Sequence, residues 1–292
     1  IFMIDVLLIN PGNSSAIYQK LSNKFSAIET PTWALLLAES CRSIGYKVAI
    51  LDVNAEKLNN VQALKKIENL SPRFICFVVY GQNVNAGTTS MSGAVYLANF
   101  LKKQKINVPI GFLGSHVQAL PEETLKKESC IDIVFTNEGV YALRNILSLK
   151  KFDTIELKNI KGIAYRDKSK VIFNLPEKIV PQDLMEADLP GYAWDLLPYK
   201  DKPFDLYRSP LWHAEYKEEF RTPYAALQTS LGCRFGCDFC MINMINRNDN
   251  DKIGVASNYS FMRYWKPEFI IKEFDKLLNY GVETIRIVDE MF

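Results

Sequence analysis

The first half of the chain alternates between short apolar runs and stretches in which apolar residues recur at helical spacing. An unbroken apolar run that ends in turn residues predicts a buried strand, and recurrence every three or four residues predicts a helix packed on one face. The strands predicted in this way span residues 3–9, 47–53, 74–80, 108–113 and 131–135. Because strands and helices alternate, we expect an α/β domain over residues 1–150, with a Rossmann-like, doubly wound parallel sheet.

The pattern changes in the second half of the chain. Residues 162–165 and 171–174 predict a β-hairpin, and a proline- and aromatic-rich segment follows it. Together they predict an ordered connector over residues 151–222. Residues 223–292 then follow the order strand, loop, helix, strand. We expect them to form the first βαβ unit of a truncated (β/α) barrel, which is too short to close a barrel and so inactive alone.

The composition disfavours several kinds of partner. The 35 basic and 33 acidic residues nearly cancel and form no basic stripe, so nucleic acid binding is not expected. No apolar run is long enough to predict a membrane span. Neither a G-x-G-x-x-G nor a P-loop motif is present, which disfavours dinucleotide and nucleoside triphosphate sites. The unpaired thiols favour a reducing, cytoplasmic location.

The strongest chemical signal is a group of cysteines in one tight loop. Cys233, Cys237 and Cys240 directly follow the strand predicted at residues 224–228, at its carboxyl end. Three thiolates suit an iron–sulfur cluster that keeps one iron free for another ligand, whereas structural zinc usually takes four protein ligands. We favour the cluster, with structural zinc as the main alternative. The other cysteines, in apolar segments, are expected only to pack.

This loop resembles the radical S-adenosylmethionine (SAM) superfamily, which carries C-x3-C-x2-C after the first strand of a partial (β/α) barrel. Phe239 before the last cysteine and the preceding residues 229–232 also fit. The resemblance implies that the three cysteines hold a 4Fe-4S cluster, whose fourth iron binds SAM and whose electron releases a 5′-deoxyadenosyl radical. It further implies that the acidic pair Asp289 and Glu290 receives the SAM amino group.

The N-terminal half resembles the cobalamin-binding domain of cobalamin-dependent radical SAM enzymes. The resemblance lies in residues 31–38, 114–116, 121–123 and 137–139. The D-x-H-x-x-G motif that supplies a histidine to cobalt is absent, so base-off cobalamin is expected, with His116 more a loop hydrogen-bonder than a cobalt ligand. The expected cobalamin contacts lie at strand ends: Asn10, Pro11, Gly12, Tyr80, Gly81, Gln82, Gly114, Ser115, His116, Asn137, Glu138 and Gly139.

The whole resemblance implies a cobalamin-dependent radical SAM enzyme. Its expected reaction is methyl transfer to an unactivated carbon or a phosphorus of a small-molecule or biosynthetic-intermediate substrate, with flavodoxin or ferredoxin as electron donor. A cyclase or rearranging enzyme with the same cofactors is one alternative. A non-catalytic corrinoid- or cluster-binding module is the other.

Overall fold

The computed structural model describes residues 3–12, 26–80, 84–209, 222–245, 247 and 261–292. Its main sheet has seven strands in the order β2-β1-β3-β4-β5-β6-β7. Strands β1 to β5 pair in parallel, and β6 and β7 are antiparallel to their neighbours. The strands are β1 Ile4–Asn10, β2 Val48–Asp52, β3 Pro72–Val78, β4 Ile110–Leu113, β5 Ile133–Phe135, β6 Ile163–Asp167 and β7 Lys170–Phe173.

The Rossmann-like α/β fold predicted from the alternation is confirmed, and one detail of the sheet differs from the expectation. The β6–β7 hairpin, predicted as part of the connector, is hydrogen-bonded to the edge of the sheet, with Val134 opposite Ala164. Ile163 and Tyr165 on β6 are buried in the same core as the first helix and the connector. The hairpin therefore covers the edge of β5, which would otherwise expose unpaired backbone groups.

Helices cover both faces of the sheet. One face packs under α1 and α6 together with the connector aromatics, and the other packs under α2, α3 and α5. The described helices are α1 Thr32–Arg42, α2 Asn60–Leu70, α3 Gly87–Lys103, α4 Ser115–Ala119, α5 Pro121–Lys127, α6 Val140–Ser148, α7 Thr154–Leu157, α8 Met185–Asp188, α9 Ile242–Ile245 and α10 Pro267–Asn279. Within the described ranges, no helix is long and apolar enough to cross a membrane.

The predicted βαβ unit follows the connector. Strand β8 (Tyr224–Leu227) pairs in parallel with β11 (Thr284–Ile287), and α10 lies between them in the chain. The structure adds a short antiparallel pair that the sequence pattern did not predict, β9 (Ser230–Gly232) with β10 (Met262–Tyr264). Strand β9 runs directly into Cys233, so this pair positions the start of the cysteine loop.

Among the described residues, side-chain hydroxyls occupy the edge of β8 that faces away from β11, and no further strand pairs there. The hydroxyl of Thr30 donates to the carbonyl of Ala226 (2.6 Å) and accepts from its amide (2.9 Å). The hydroxyl of Tyr192 does the same for Gln228, at 2.7 and 3.0 Å. All four residues are buried. The two hydroxyls thus satisfy backbone groups of β8; Thr30 docks the strand against the N-terminal half of the chain, and Tyr192 docks it against the connector.

We predict that Thr30→Val, which keeps the shape but loses the hydroxyl, lowers the free energy of unfolding by about 1–3 kcal/mol, because it leaves buried backbone groups of Ala226 unpaired. Urea denaturation measures the change. The matched control is Thr154→Val on the exposed surface of α7, which should change stability by less than about 0.5 kcal/mol. Equal effects of the two substitutions would show that Thr30 does not dock β8.

Candidate functional site

The predicted site residues collect at one edge of the main sheet. Strands β1, β3, β4 and β5 are parallel, so their carboxyl ends lie on the same edge. The direction of strand addition reverses between β1 and β3, because β1 lies between β2 and β3. In open α/β sheets, ligands bind in the crevice at such a reversal. Residues 10–12 and Tyr80 flank it, whereas Gly81 and Gln82 lie outside the described residues.

The cysteine loop is accessible. Cys237 is exposed, Cys233 and Cys240 are partly buried, and all three are free thiols. The amide of Phe235 donates to the sulfur of Cys233 at 3.4 Å, an orientation that suits a thiolate. The aromatic rings of Phe235 and Phe239 are largely exposed beside the cysteines, at 61% and 82%.

The donor set fits an iron–sulfur cluster by its chemistry. Three soft sulfur donors, none of them in a disulfide, lie within one short loop. In the part of the chain that the structure describes, no group of three or more metal-binding side chains converges, so the sulfurs are not arranged as ligands.

The remaining cysteines are buried in the N-terminal half. Burial raises the pKa of the Cys41 thiol to about 12 and that of Cys130 to about 11, and it raises the pKa of Cys76 as well. Thiols with such raised pKa values are poor nucleophiles and poor metal ligands. This agrees with the packing role that the sequence predicts for them.

The cysteine loop contacts the edge of the main sheet. Ile242, which follows the last cysteine, is buried against Tyr80 and against the side chains of Cys233 and Cys240. Helix α9 packs on α4, which begins right after β4. The ring of Tyr80 also makes an edge contact with Trp33, with 5.7 Å between centroids. Tyr80 thus lies between the cysteine loop and the strand ends.

The two terminal carboxylates of the candidate site have different surroundings. Asp289 accepts hydrogen bonds from the amide and hydroxyl of Thr229, at 2.7 and 2.6 Å, and from the hydroxyl of Ser230 at 2.9 Å. The side chain of Gln228 donates to the Oε1 atom of Glu290 at 3.1 Å. The Oε2 atom of Glu290 is buried and has no partner among the described residues.

Burial raises the pKa of Glu290 to about 7, and the charge of the neighbouring Asp289 raises it further. A buried carboxyl with one vacant oxygen is a suitable acceptor for an ammonium group. Of the acidic pair, Asp289 therefore braces the residues before the cysteine loop, and Glu290 is the carboxylate available to a ligand.

Glycine is required at two of the strand ends. Gly114 has φ +152°, and a Cβ there would lie 2.1 Å from the carbonyl oxygen of Val79. Gly139 has φ +82°, and a Cβ would lie 1.9 Å from the side chain of Leu113. Both turns need the left-handed backbone region and close approach, which only glycine combines without strain. Ser115 is buried next to Gly114 at the start of α4.

The loop after β5 is held by internal contacts. The side chain of Asn137 donates to the carbonyl of Glu177 (2.7 Å) and accepts from the amide of Gly139 (3.0 Å). Gln118 donates both to the carbonyl of Asn137 and to the hydroxyl of Tyr80. These bonds tie the ends of β3 and β5 together beneath the reversal point of the sheet.

Glu138 forms a buried ion pair with β10. Its carboxylate receives the guanidinium of Arg263 at 2.7 Å and the amide of Val180 at 2.6 Å, and both charged side chains are at most 4% exposed. Arg263 also donates to the carbonyl of Val180. Since β10 pairs with β9, this ion pair connects the strand that leads into Cys233 to the end of β5.

His116, a predicted cobalamin contact, is engaged within the chain. His116 forms a hydrogen bond with the hydroxyl of Thr88 through Nδ1 (3.1 Å), and burial lowers its pKa. It lines a groove of about 640 Å³ between α3 and α5.

Asn10, at the end of β1, donates a hydrogen bond to Asp52 at 2.8 Å. Burial raises the pKa of Asp52 to about 6, although it also accepts from the hydroxyl of Tyr207. Pro11 is buried beside Asn10, and Gly12 is partly exposed.

Sequence reasoning missed the residues that hold these parts together. They are single polar residues far apart in the chain, without a motif or spacing that would identify them. They are Thr30, Asn85, Gln118, Tyr192 and Arg263.

Comparison with known proteins identifies the N-terminal half. A model of the B12 binding domain matches residues 19–147. An uncharacterized methyltransferase of Pyrococcus horikoshii is 26% identical over 294 residues, covering 99% of this chain and 54% of that protein. The cobalamin-dependent radical SAM methyltransferase TokK of Streptomyces tokunonensis is 22% identical over 196 residues, which cover 67% of this chain and 25% of TokK.

Two solved structures share the fold. The cobalamin-dependent SAM radical enzyme OxsB, solved with aqua-cobalamin, superposes with a TM-score of 0.64 at 17% identity, covering 99% of this chain and 34% of OxsB. The radical SAM methyltransferase TsrM of Kitasatospora setae, solved with cobalamin and a [4Fe-4S] cluster, gives a TM-score of 0.60 at 14% identity, covering 99% and 49%.

Residues 19–147 thus match the B12 binding domain, and the chain is similar to cobalamin-dependent radical SAM enzymes. It spans about half the length of the Pyrococcus horikoshii relative and a quarter of TokK. The cysteine loop, Glu290 and the strand ends of the main sheet are therefore the parts to test for cofactor binding.

We predict that Arg263→Met lowers the free energy of unfolding by about 3–5 kcal/mol, because it leaves the Glu138 carboxylate buried without its counter-charge. Adding Glu138→Gln, which keeps an acceptor for Val180 without the charge, should recover much of the loss. Denaturant unfolding of the two variants measures both effects. The control is Lys126→Met, which breaks an exposed ion pair with Glu122 and should change stability by less than about 1 kcal/mol. If Arg263→Met cost no more than this control, the ion pair would not be a structural link.

We also predict a pH-dependent effect of Glu290→Gln. The folded pKa of about 7 lies above the ordinary value of 4.5, so the carboxyl favours folding below pH 4.5 and that contribution is lost as the pH rises through 7. The free energy of unfolding of Glu290→Gln, relative to that of the native protein, should therefore increase from pH 5 to pH 8 by up to about 3 kcal/mol. Urea denaturation at the two pH values measures it, with the exposed Glu283→Gln as control. A difference that does not grow with pH would contradict the burial of the Glu290 carboxyl.

Proposed function

We propose that the protein binds base-off cobalamin, a 4Fe-4S cluster and SAM, and that its reaction is methyl transfer to an unactivated carbon or phosphorus of a small-molecule or biosynthetic-intermediate substrate. One observation carries the proposal. The cysteine loop contacts Tyr80 at the carboxyl edge of the sheet, where a domain of the B12-binding family is expected to hold its corrin. Both cofactor sites thereby face one region of the molecule.

The chain's own residues have distinct parts in this scheme. Cys233, Cys237 and Cys240 would hold three irons, and the tight turns that Gly114 and Gly139 allow would let the backbone at the sheet edge approach a flat ring closely. Phe239 is exposed beside the last cysteine, where it is available to pack on a ligand. When bound, the cluster supplies the electron that cleaves SAM to a 5′-deoxyadenosyl radical, and cobalamin supplies the methyl group.

Glu290 would receive the ammonium of SAM. Its side chain lies beside the start of the cysteine loop, where a backbone hydrogen bond from Gly232 lowers its pKa, and its buried Oε2 atom has no partner among the described residues. An ammonium there provides the counter-charge that burial otherwise denies the carboxylate, and so lowers its pKa again. Asp289 holds Thr229 and Ser230 in place meanwhile, which fixes the approach to Cys233.

The alternative reaction is a cyclisation or rearrangement with the same cofactors. It stands beside methyl transfer because OxsB is described as a SAM radical enzyme and not as a methyltransferase. A reduced flavodoxin or ferredoxin would supply the electron in either case, in a reducing compartment where the thiols and the cluster persist.

The test is anaerobic reconstitution with iron, sulfide and hydroxocobalamin, followed by reduction in the presence of SAM. For the full-length protein, we predict about four irons and one corrin per chain, and formation of 5′-deoxyadenosine. Cys237→Ala should lose cluster binding and SAM cleavage while corrin binding, followed by its visible absorbance, stays within about twofold. Cys130→Ala, at a buried cysteine outside the loop, is the matched control and should keep both cofactors.

Stoichiometric zinc with no iron would overturn the cluster, and iron without corrin uptake would overturn the cobalamin site. A protein that binds both cofactors but never cleaves SAM under reduction would instead be a binding module. Methylated product distinguishes methyl transfer from the cyclase or rearranging alternative once SAM is cleaved.

A further inference from the structure

The segment between β3 and α3 reaches across to the cysteine loop. Asn85 lies in the short 3-10 helical turn Val84–Ala86, just before α3 of the B12-binding-type domain. Its side-chain oxygen accepts the amide of Met241 at 2.8 Å, and its side-chain nitrogen lies 3.9 Å from the sulfur of Cys240. One side chain of the N-terminal domain therefore binds both the last cysteine and the residue after it.

The two contacts fix the orientation of the amide group. Since the oxygen is occupied by a backbone N–H, the NH2 group is the part that faces Cys240. Cys240 is also held from the chain itself, because its own amide donates to the carbonyl of Cys237. A neutral donor aimed at a thiolate stabilises the added negative charge of a reduced cluster more than it stabilises the oxidised form.

We propose that Asn85 is a positioning residue for the cluster, which anchors the Cys240 ligand to the cobalamin-binding domain and raises the midpoint potential of the cluster through an N–H···S hydrogen bond. The inference rests on the proposed function, since it requires the cysteines to carry a cluster. It assigns to the N-terminal domain a direct influence on the cluster that the cysteines of residues 223–292 would hold.

The surroundings agree with a tuning role and not with a packing role. Asn85 is exposed and belongs to neither hydrophobic core, so its removal creates no cavity in the fold. Tyr80, on the other side of residues 81–83, packs on Ile242 by apolar contact. Tyr80 thus provides the apolar packing against the cysteine loop, and Asn85 provides the polar contact with the sulfur of Cys240.

The test is a redox titration of the reconstituted cluster, followed by electron paramagnetic resonance. Asn85→Ala should make the midpoint potential more negative and lower the ratio of reduced to oxidised cluster about threefold at a fixed ambient potential, or about 28 mV for a one-electron couple at about 59 mV per tenfold. Asn85→Gln, which keeps the amide, should lie between Asn85→Ala and the native protein. Asn99→Ala on α3 is the matched control and should leave the potential unchanged.

A second measurement covers a variant that assembles no cluster. In cluster-free protein, loss of the Met241 contact should speed tryptic cleavage after Arg234 in Asn85→Ala, and Asn85→Gln should restore slower cleavage. A native-like potential in Asn85→Ala, or native-like cleavage in an Asn85→Ala protein without a cluster, would overturn the inference while leaving the proposed function intact. A native protein without a cluster would overturn the proposed function, and this inference with it.

Discussion

The ion pair between Arg263 and Glu138 is the constraint on which the rest of the site depends. It is buried, it joins β10 to the end of β5, and β10 in turn fixes β9, the strand that delivers Cys233. A charge pair of this kind tolerates little displacement, because separation would leave two charges without water or partner. The cysteine loop is therefore held in register with the carboxyl edge of the main sheet. The hydroxyls of Thr30 and Tyr192 add a second attachment along β8.

Neighbouring polar groups of the candidate site fall into two kinds: those whose hydrogen bonds hold the structure together, and those that keep an atom available to a ligand. Asp289 is saturated with hydrogen bonds, whereas Glu290 beside it keeps one buried oxygen without a described partner. Asn137 and Glu138 are engaged in the same way as Asp289, although the sequence pattern suggests them as cofactor contacts. Free hydrogen-bonding capacity, more than position at a strand end, separates candidate ligand-binding residues from structural ones.

The sequence allowed the local elements to be predicted well. Apolar runs identified all five parallel strands, since strands buried on both faces need continuous apolar residues. Helix α2 begins at Asn60, where Asn59 and Gln62 form a capping box. The hairpin was found, but not its pairing with β5, because alternation within a strand does not name its neighbour. The cysteine loop was recognised from its spacing and aromatic residue.

The contacts that assemble the site could not be predicted in the same way. Thr30 and Ala226 are 196 residues apart, and Glu138 and Arg263 are 125 residues apart. A single threonine or arginine gives no periodic pattern in the sequence. Its partner is determined only by how the domains pack. Asn85 is a similar case: nothing in the sequence distinguishes it from other asparagines in turns, and only the structure places it beside Cys240.

The most direct test of the account is whether the two cofactors share one edge of the fold. Electron paramagnetic resonance of reconstituted protein, with cob(II)alamin and the reduced cluster both paramagnetic, reports on their proximity. Because the cysteine loop contacts Tyr80 at the carboxyl edge of the main sheet, we predict mutual broadening or splitting of the two signals. A spectrum equal to the sum of the signals of singly loaded proteins would contradict this arrangement.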